Sequence, residues 1–220
     1  MTKKQRYKAF LAHFTEHHPT PEPELLYKDP FQLLVAVILS AQCTDKRVNM
    51  ATPALFAAFP TAALLSESSF EAVFPYIKSI SYPNNKTKHL LGMAKMLVED
   101  FDGQVPERVE DLQKLPGVGR KTAHVVASVL YDQPTLAVDT HVFRVSRRLG
   151  LADEQATTPL AVEKQLVKYL PQEYITKAHH WLILHGRYVC VARKPKCGQC
   201  QLTDFCSHYT SVVASGGRLS

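Results

Sequence analysis

Four of the five cysteines in this chain fall between Cys190 and Cys206 with the spacing C-x6-C-x2-C-x5-C. Four thiolates delivered by one short segment can close around a single inorganic centre, and such a closure pins the surrounding backbone. A disulfide framework more often spreads its cysteines through a small secreted chain. Structural zinc sites commonly pair their ligands as two short knuckles, whereas here only Cys197 and Cys200 form such a pair. The longer outer gaps favour an iron–sulfur cluster held by Cys190, Cys197, Cys200 and Cys206, with zinc as the alternative. The spacing is not a ferredoxin pattern, so electron transfer is not implied. Cys43 stands apart at the end of an apolar segment and reads as a core residue.

Between the first two cysteines lie Arg193, Lys194 and Lys196. Three cations in a loop tied at both ends suit a clamp for phosphate, although a solvated surface loop is the plainer reading. The formal charge of +6 over 220 residues favours a polyanionic partner without proving one. The longest apolar run, residues 33–39, is too short to cross a bilayer. No apolar stretch follows the basic start, so a secretory signal is not expected. The expected location is cytoplasmic, associated with the nucleoid if the chain binds DNA.

The pattern is helical nearly throughout. Helices are predicted at residues 5–18, 31–41, 44–59, 66–74, 84–101 and 106–114, from the glycine turn to 131, and at 140–149, 159–170 and 173–189, several of them opened by Ser, Thr, Asn or Asp. The 31–41 segment is apolar on all sides and reads as a central helix. No hairpin pair stands out.

Leu115-Pro116-Gly117-Val118-Gly119-Arg120-Lys121 marks a tight turn into a helix. Backbone amides at such a turn can hold an anion, and the helix start adds partial positive charge. On that helix Lys121, His124 and Ser128 fall within an arc of about 60°, a narrow polar strip on a largely apolar cylinder. A helix N-terminus, the neighbouring Arg120 and partial desolvation would all favour a neutral, nucleophilic Lys121. A lysine that merely grips phosphate is the plainer alternative. Asp139 precedes Thr140 and another periodic helix, so it reads first as a cap. A rigidly held carboxylate also suits the stabilisation of developing positive charge.

Four segments together carry a family resemblance: Leu39-Ser40-Ala41-Gln42-Cys43-Thr44-Asp45, residues 115–123, residues 137–144, and His185-Gly186-Arg187-Tyr188 running into the cysteines. The chain closely resembles the endonuclease III family of helix-hairpin-helix DNA glycosylases. The resemblance spans roughly residues 5–208, and the combination is specific where no single piece is. It implies an all-α, two-domain fold with a cleft. One domain, residues 22–133, is a six-helix barrel with the helix-hairpin-helix motif. The other, residues 1–21 and 134–210, holds a [4Fe-4S] cluster, and 211–220 form a tail.

The implied activity is removal of oxidised or ring-saturated pyrimidines from double-stranded DNA, with cleavage of the abasic strand by β-elimination through a Schiff base on Lys121. Asp139 would face Lys121 across the cleft and assist. The implied DNA contacts are Gln42, Tyr82, Gly117, Val118, Gly119, Arg120, His141, Arg193 and Lys194. Gln42 would fill the gap left by the flipped base. Tyr82 stands at a wedge position where leucine is frequent, and His124 stands where asparagine is frequent. The chain is expected to act as a monomer. Two other readings stay open: a monofunctional mismatch or adenine glycosylase, which would generally lack the lysine, and a non-catalytic, metal-stabilised DNA-binding protein.

Overall fold

The computed structural model describes residues 1–21 and 24–214. Twelve α-helices and three 3-10 turns (Gln172–Tyr174, Cys197–Gln199 and Thr203–Phe205) account for the regular structure among them; the α-helices are α1 Lys3–His17, α2 Pro30–Ser40, α3 Asp45–Ala58, α4 Ala62–Ser66, α5 Phe70–Ile77, α6 Pro83–Asp100, α7 Val109–Leu112, α8 Arg120–Tyr131, α9 Thr140–Leu149, α10 Pro159–Tyr169, α11 Ile175–Tyr188 and α12 Ser207–Ala214. No strand occurs among the described residues. Two compact units divide the chain, one spanning Pro23–Gln133 and the other combining the two terminal parts.

The continuous unit is organised around α2. Its start is set by Asp29, whose side chain accepts from the Gln32 N–H, followed by Pro30 in the first turn. From Leu33 to Leu39 every side chain is buried. Helices α3, α6 and α8 pack on it, which is why this helix is apolar on all sides rather than along one stripe. Each fully buried aliphatic residue contributes roughly 1.5–3 kcal/mol of hydrophobic stabilisation, so the unit is held chiefly by this helix and its neighbours.

In the discontinuous unit, α1 is fastened to α11 by aromatic packing. Trp181 stacks on Phe14 at 5.3 Å and meets Phe10 edge-on at 6.0 Å. The Trp181 indole N–H donates to the His18 carbonyl at 2.7 Å, so the only polar atom of a fully buried side chain is satisfied. Tyr7 donates its hydroxyl to the Leu151 carbonyl at 3.0 Å. Burial, and then the nearby Tyr169 and Asp153, raise the Tyr7 phenol well above the ordinary tyrosine range. These ties make the amino-terminal helix part of a core that the rest of the unit supplies from residue 134 onward.

Several predicted elements need correction. The segment 66–74 is not one helix: α4 ends at Ser66, and Ser69 caps a new helix, α5, by accepting from the Ala72 N–H. Only Val109–Leu112 is helical within 106–114. Helix α6 is opened not by an asparagine but by Tyr82 in the left-handed region followed by Pro83, with no side-chain cap. Helix α12 is an element that the sequence pattern does not predict; it runs to Ala214, into the 211–220 segment. Residues 215–220 lie outside the described residues.

Candidate DNA-processing site and cysteine centre

The glycine turn is built as a bracket between α7 and α8. Gly117 has φ +81°, and a Cβ placed on it would sit 2.9 Å from the Cβ of His89. Both the backbone sign and the contact with α6 therefore demand glycine here. The Val118 N–H donates to the Leu115 carbonyl at 3.0 Å, closing the turn. Gly119 precedes α8 with no side-chain cap, and nothing lies within 4 Å of where its Cβ would be. The chain thus presents an exposed, uncapped helix start with glycine on its approach, a geometry suited to a phosphate group.

Gly117, Gly119 and Arg120 are exposed, whereas the Val118 side chain is only 6 % exposed and packs in the core. Val118 can therefore offer a ligand its main chain alone. Lys121 is exposed on the first turn of α8. The desolvation expected around it is not supplied by the free protein. The polar strip predicted beside it is also revised: His124 is 6 % and Ser128 1 % exposed, and both have partners inside the fold. The wheel put three polar residues on one side correctly, but the packing of α8 covers that side beyond its first turn.

Gln42 and Tyr82 share an unusual backbone. Both are exposed, and both have positive φ, 54° and 56°. Gln42 follows the end of α2, and Tyr82 precedes α6. A bulky residue in the left-handed region is an outlier that the surroundings must hold in place.

Asp139 caps α9. Its Oδ1 accepts from the N–H groups of His141 and Val142, each at 2.8 Å. His141 is half-buried, with its Nδ1 3.2 Å from Nη2 of Arg144. Since a guanidinium can only donate, Nδ1 accepts and the ring proton sits on Nε2. His141 also lies against Gly186, where a Cβ would be 2.9 Å from that of His141.

Cys190, Cys197, Cys200 and Cys206 line one cavity with Leu149, Val189, Pro195 and Thr203. All four are free thiols. Among the described residues no three His, Cys, Asp or Glu side chains close around a single metal ion. Four thiols lining one cavity make a donor set that fits a four-iron cluster, in which each cysteine meets a different iron. Burial is the main influence raising the Cys197, Cys200 and Cys206 thiols above the usual cysteine range. Backbone N–H groups of Leu202, and of Tyr209 and His208, partly offset it at Cys200 and Cys206. Ligation therefore releases protons. Arg193 and Lys194 are exposed on the intervening loop, Lys194 with φ 53°.

Two residues that the sequence reading passed over hold this loop. Arg148 donates to the carbonyls of Val191 at 2.8 Å and Ala192 at 2.9 Å. Arg144 donates to the carbonyls of Gly186 at 2.8 Å and Cys190 at 3.1 Å. Their spacing of four along α9 puts both on one face, and this was the available signal. Lys86 was also missed, and nothing in its surrounding sequence distinguishes it.

Comparison with known proteins agrees with this geometry. The family described as HhH-GPD superfamily base excision DNA repair protein matches residues 35–172. The iron-sulfur binding domain of endonuclease III matches residues 190–206. Endonuclease III of Rickettsia felis is 48% identical over 202 residues, covering 92% of this chain and 94% of the relative. Endonuclease III of Escherichia coli K12 is 44% identical over 212 residues, covering 96% and 99%. A solved structure of a trapped endonuclease III–DNA covalent intermediate superposes with a TM-score of 0.89 at 40% identity, covering 97% of this chain and 100% of that one. The chain belongs to the endonuclease III family of base excision repair enzymes, DNA glycosylases with AP lyase activity that carry a [4Fe-4S] cluster.

Proposed function

We propose that the chain removes oxidised or ring-saturated pyrimidines from duplex DNA and then cuts the abasic strand, with Lys121 as the nucleophile. The observation that carries this reading is the exposed Lys121 on the first turn of an uncapped helix, directly after a glycine turn open to phosphate. The turn grips the backbone through its amides, and the damaged nucleotide leaves the stack. Lys121 Nζ attacks C1′ of the deoxyribose and the base departs with the glycosidic electron pair. The nitrogen loses a proton as the sugar ring opens to an iminium. Loss of a C2′ proton then expels the 3′ phosphate. Enclosure by DNA supplies the desolvation that the free protein lacks around Lys121 and favours its neutral form.

Asp139 acts on the same sugar through its carboxylate, stabilising positive charge and moving protons. Gln42 and Tyr82 enter the duplex, Gln42 towards the unpaired base. Gly117, Val118, Gly119, Arg120, His141, Arg193 and Lys194 contact the backbone around the lesion. Cys190, Cys197, Cys200 and Cys206 hold the cluster, whose contribution is structural: it fixes the basic loop. The protein acts as a monomer in the compartment that holds the chromosome.

Borohydride reduction in the presence of abasic duplex tests the reading. A covalent adduct is expected with the natural chain and none with Lys121→Ala. An adduct undiminished in Lys121→Ala would assign the chemistry to another amine.

A further inference from the structure

The two left-handed turns that present Gln42 and Tyr82 are tied to each other reciprocally. Lys86 lies on α6, just after Tyr82, and is 5 % exposed. Its ammonium donates to the carbonyls of Leu39 at 2.8 Å and Ala41 at 2.7 Å, immediately before Gln42. Arg47 lies on α3, just after Gln42, and its Nη1 donates to the Ser79 carbonyl at 3.0 Å, just before Tyr82. Each turn thus sends a cation back to the backbone of the other. Burying an ammonium is costly unless its donors are met. Here it is held by two carbonyls at the negative end of the α2 dipole. Burial pushes the Lys86 amine below the usual lysine value, a cost consistent with a role beyond packing.

We propose that Lys86 and Arg47 are positioning residues that join the Gln42 and Tyr82 turns into one two-pronged element, so that the two side chains enter the duplex together. Two independent turns could each relax from positive φ, because neither has glycine to make that conformation cheap. With the cross-ties in place, relaxing one turn pulls on the other. The inference rests on the reading that Gln42 and Tyr82 enter DNA.

The test uses the full-length, cluster-loaded protein and a duplex carrying a tetrahydrofuran abasic analogue opposite 2-aminopurine. Dissociation constants and 2-aminopurine emission are read for Gln42→Ala, Tyr82→Ala and the double variant, in the natural background and in Arg47→Ala and Lys86→Met backgrounds. In the natural background the two losses should be non-additive, the double variant falling well short of their product. In either braceless background they should become additive. Each brace variant alone should weaken binding roughly tenfold and lower the emission gain. Unchanged coupling in the Arg47→Ala background overturns the brace, and because Arg47 is exposed this arm survives if Lys86→Met does not fold. If neither Gln42→Ala nor Tyr82→Ala alters binding or emission, the contact reading itself has failed, and the brace loses its purpose.

Discussion

One carboxylate oxygen of Asp139, Oδ1, takes the backbone N–H groups of both His141 and Val142, each at 2.8 Å. Both cap bonds of α9 therefore fall on one oxygen, and neither uses its twin. Asp139→Asn keeps an acceptor for the cap and removes the charge. It should retain the thermal stability of the natural chain while base release slows about 100-fold, a typical scale for losing a group that acts in proton transfer. Asp139→Ala should lose the cap as well, at about 1 kcal/mol of stability. Unfolding curves and single-turnover kinetics on the three proteins separate the roles. Full activity in Asp139→Asn would leave only the cap.

Gly117 and Gly119 are one residue apart and should respond in opposite ways. At Gly117 an alanine meets both a positive φ of 81° and the side chain of His89. Gly117→Ala should destabilise the continuous unit by roughly 1–3 kcal/mol. At Gly119 the backbone is extended and the space is open, so Gly119→Ala should fold as well as the natural chain. Its methyl group would stand where phosphate approaches, and DNA affinity should fall severalfold. Denaturant midpoints and binding isotherms for the two variants check both halves. Normal DNA affinity in Gly119→Ala would place the phosphate elsewhere.

What the sequence disclosed here depended on how local each signal is. Gly117 is legible because a positive φ and a side-chain-free contact are recorded in the residue type. Asp139 is legible because a cap needs only its own next three residues. His124 and Ser128 misled because a helical wheel gives angular position but not which neighbour covers it; in the fold that side of α8 is closed. The break between α4 and α5 was missed because Ser66 and Ser69 are both plausible caps, and the choice is made by what Leu65 and Val73 bury. Lys86 was invisible for a deeper reason. Its carbonyl partners lie 47 and 45 residues earlier, and no local pattern encodes a main-chain acceptor at that distance.

The loop between Cys190 and Cys197 carries its charge to solvent, with Arg193 and Lys194 both exposed. If these cations neutralise phosphates, each releases condensed counter-ions on binding. The slope of log affinity against log salt should then flatten by about one for each lost contact. Arg193→Glu and Lys194→Glu should each do so without altering thermal stability. Binding measured across a salt series is the check, and an unchanged slope in both variants would make this a solvated surface loop.

Arg148 joins α9 to the start of the cysteine loop through the Val191 and Ala192 carbonyls, and its Nη1 lies 3.5 Å from the Cys190 sulfur. Charged hydrogen bonds of this kind contribute about 1.5–3 kcal/mol each, so the loop that delivers the first ligand is held mostly from α9. Arg148→Met keeps the length of the side chain and removes its donors. The variant should still be purified with about four irons per chain, because the four thiols remain. Its cluster should be lost to a chelator at least tenfold faster, since the Cys190 segment can lift away without breaking those bonds. Iron content by colorimetry and the decay of the visible absorbance measure the two quantities. Equal stripping rates in variant and natural chain would show that the cysteines alone set the grip on the cluster.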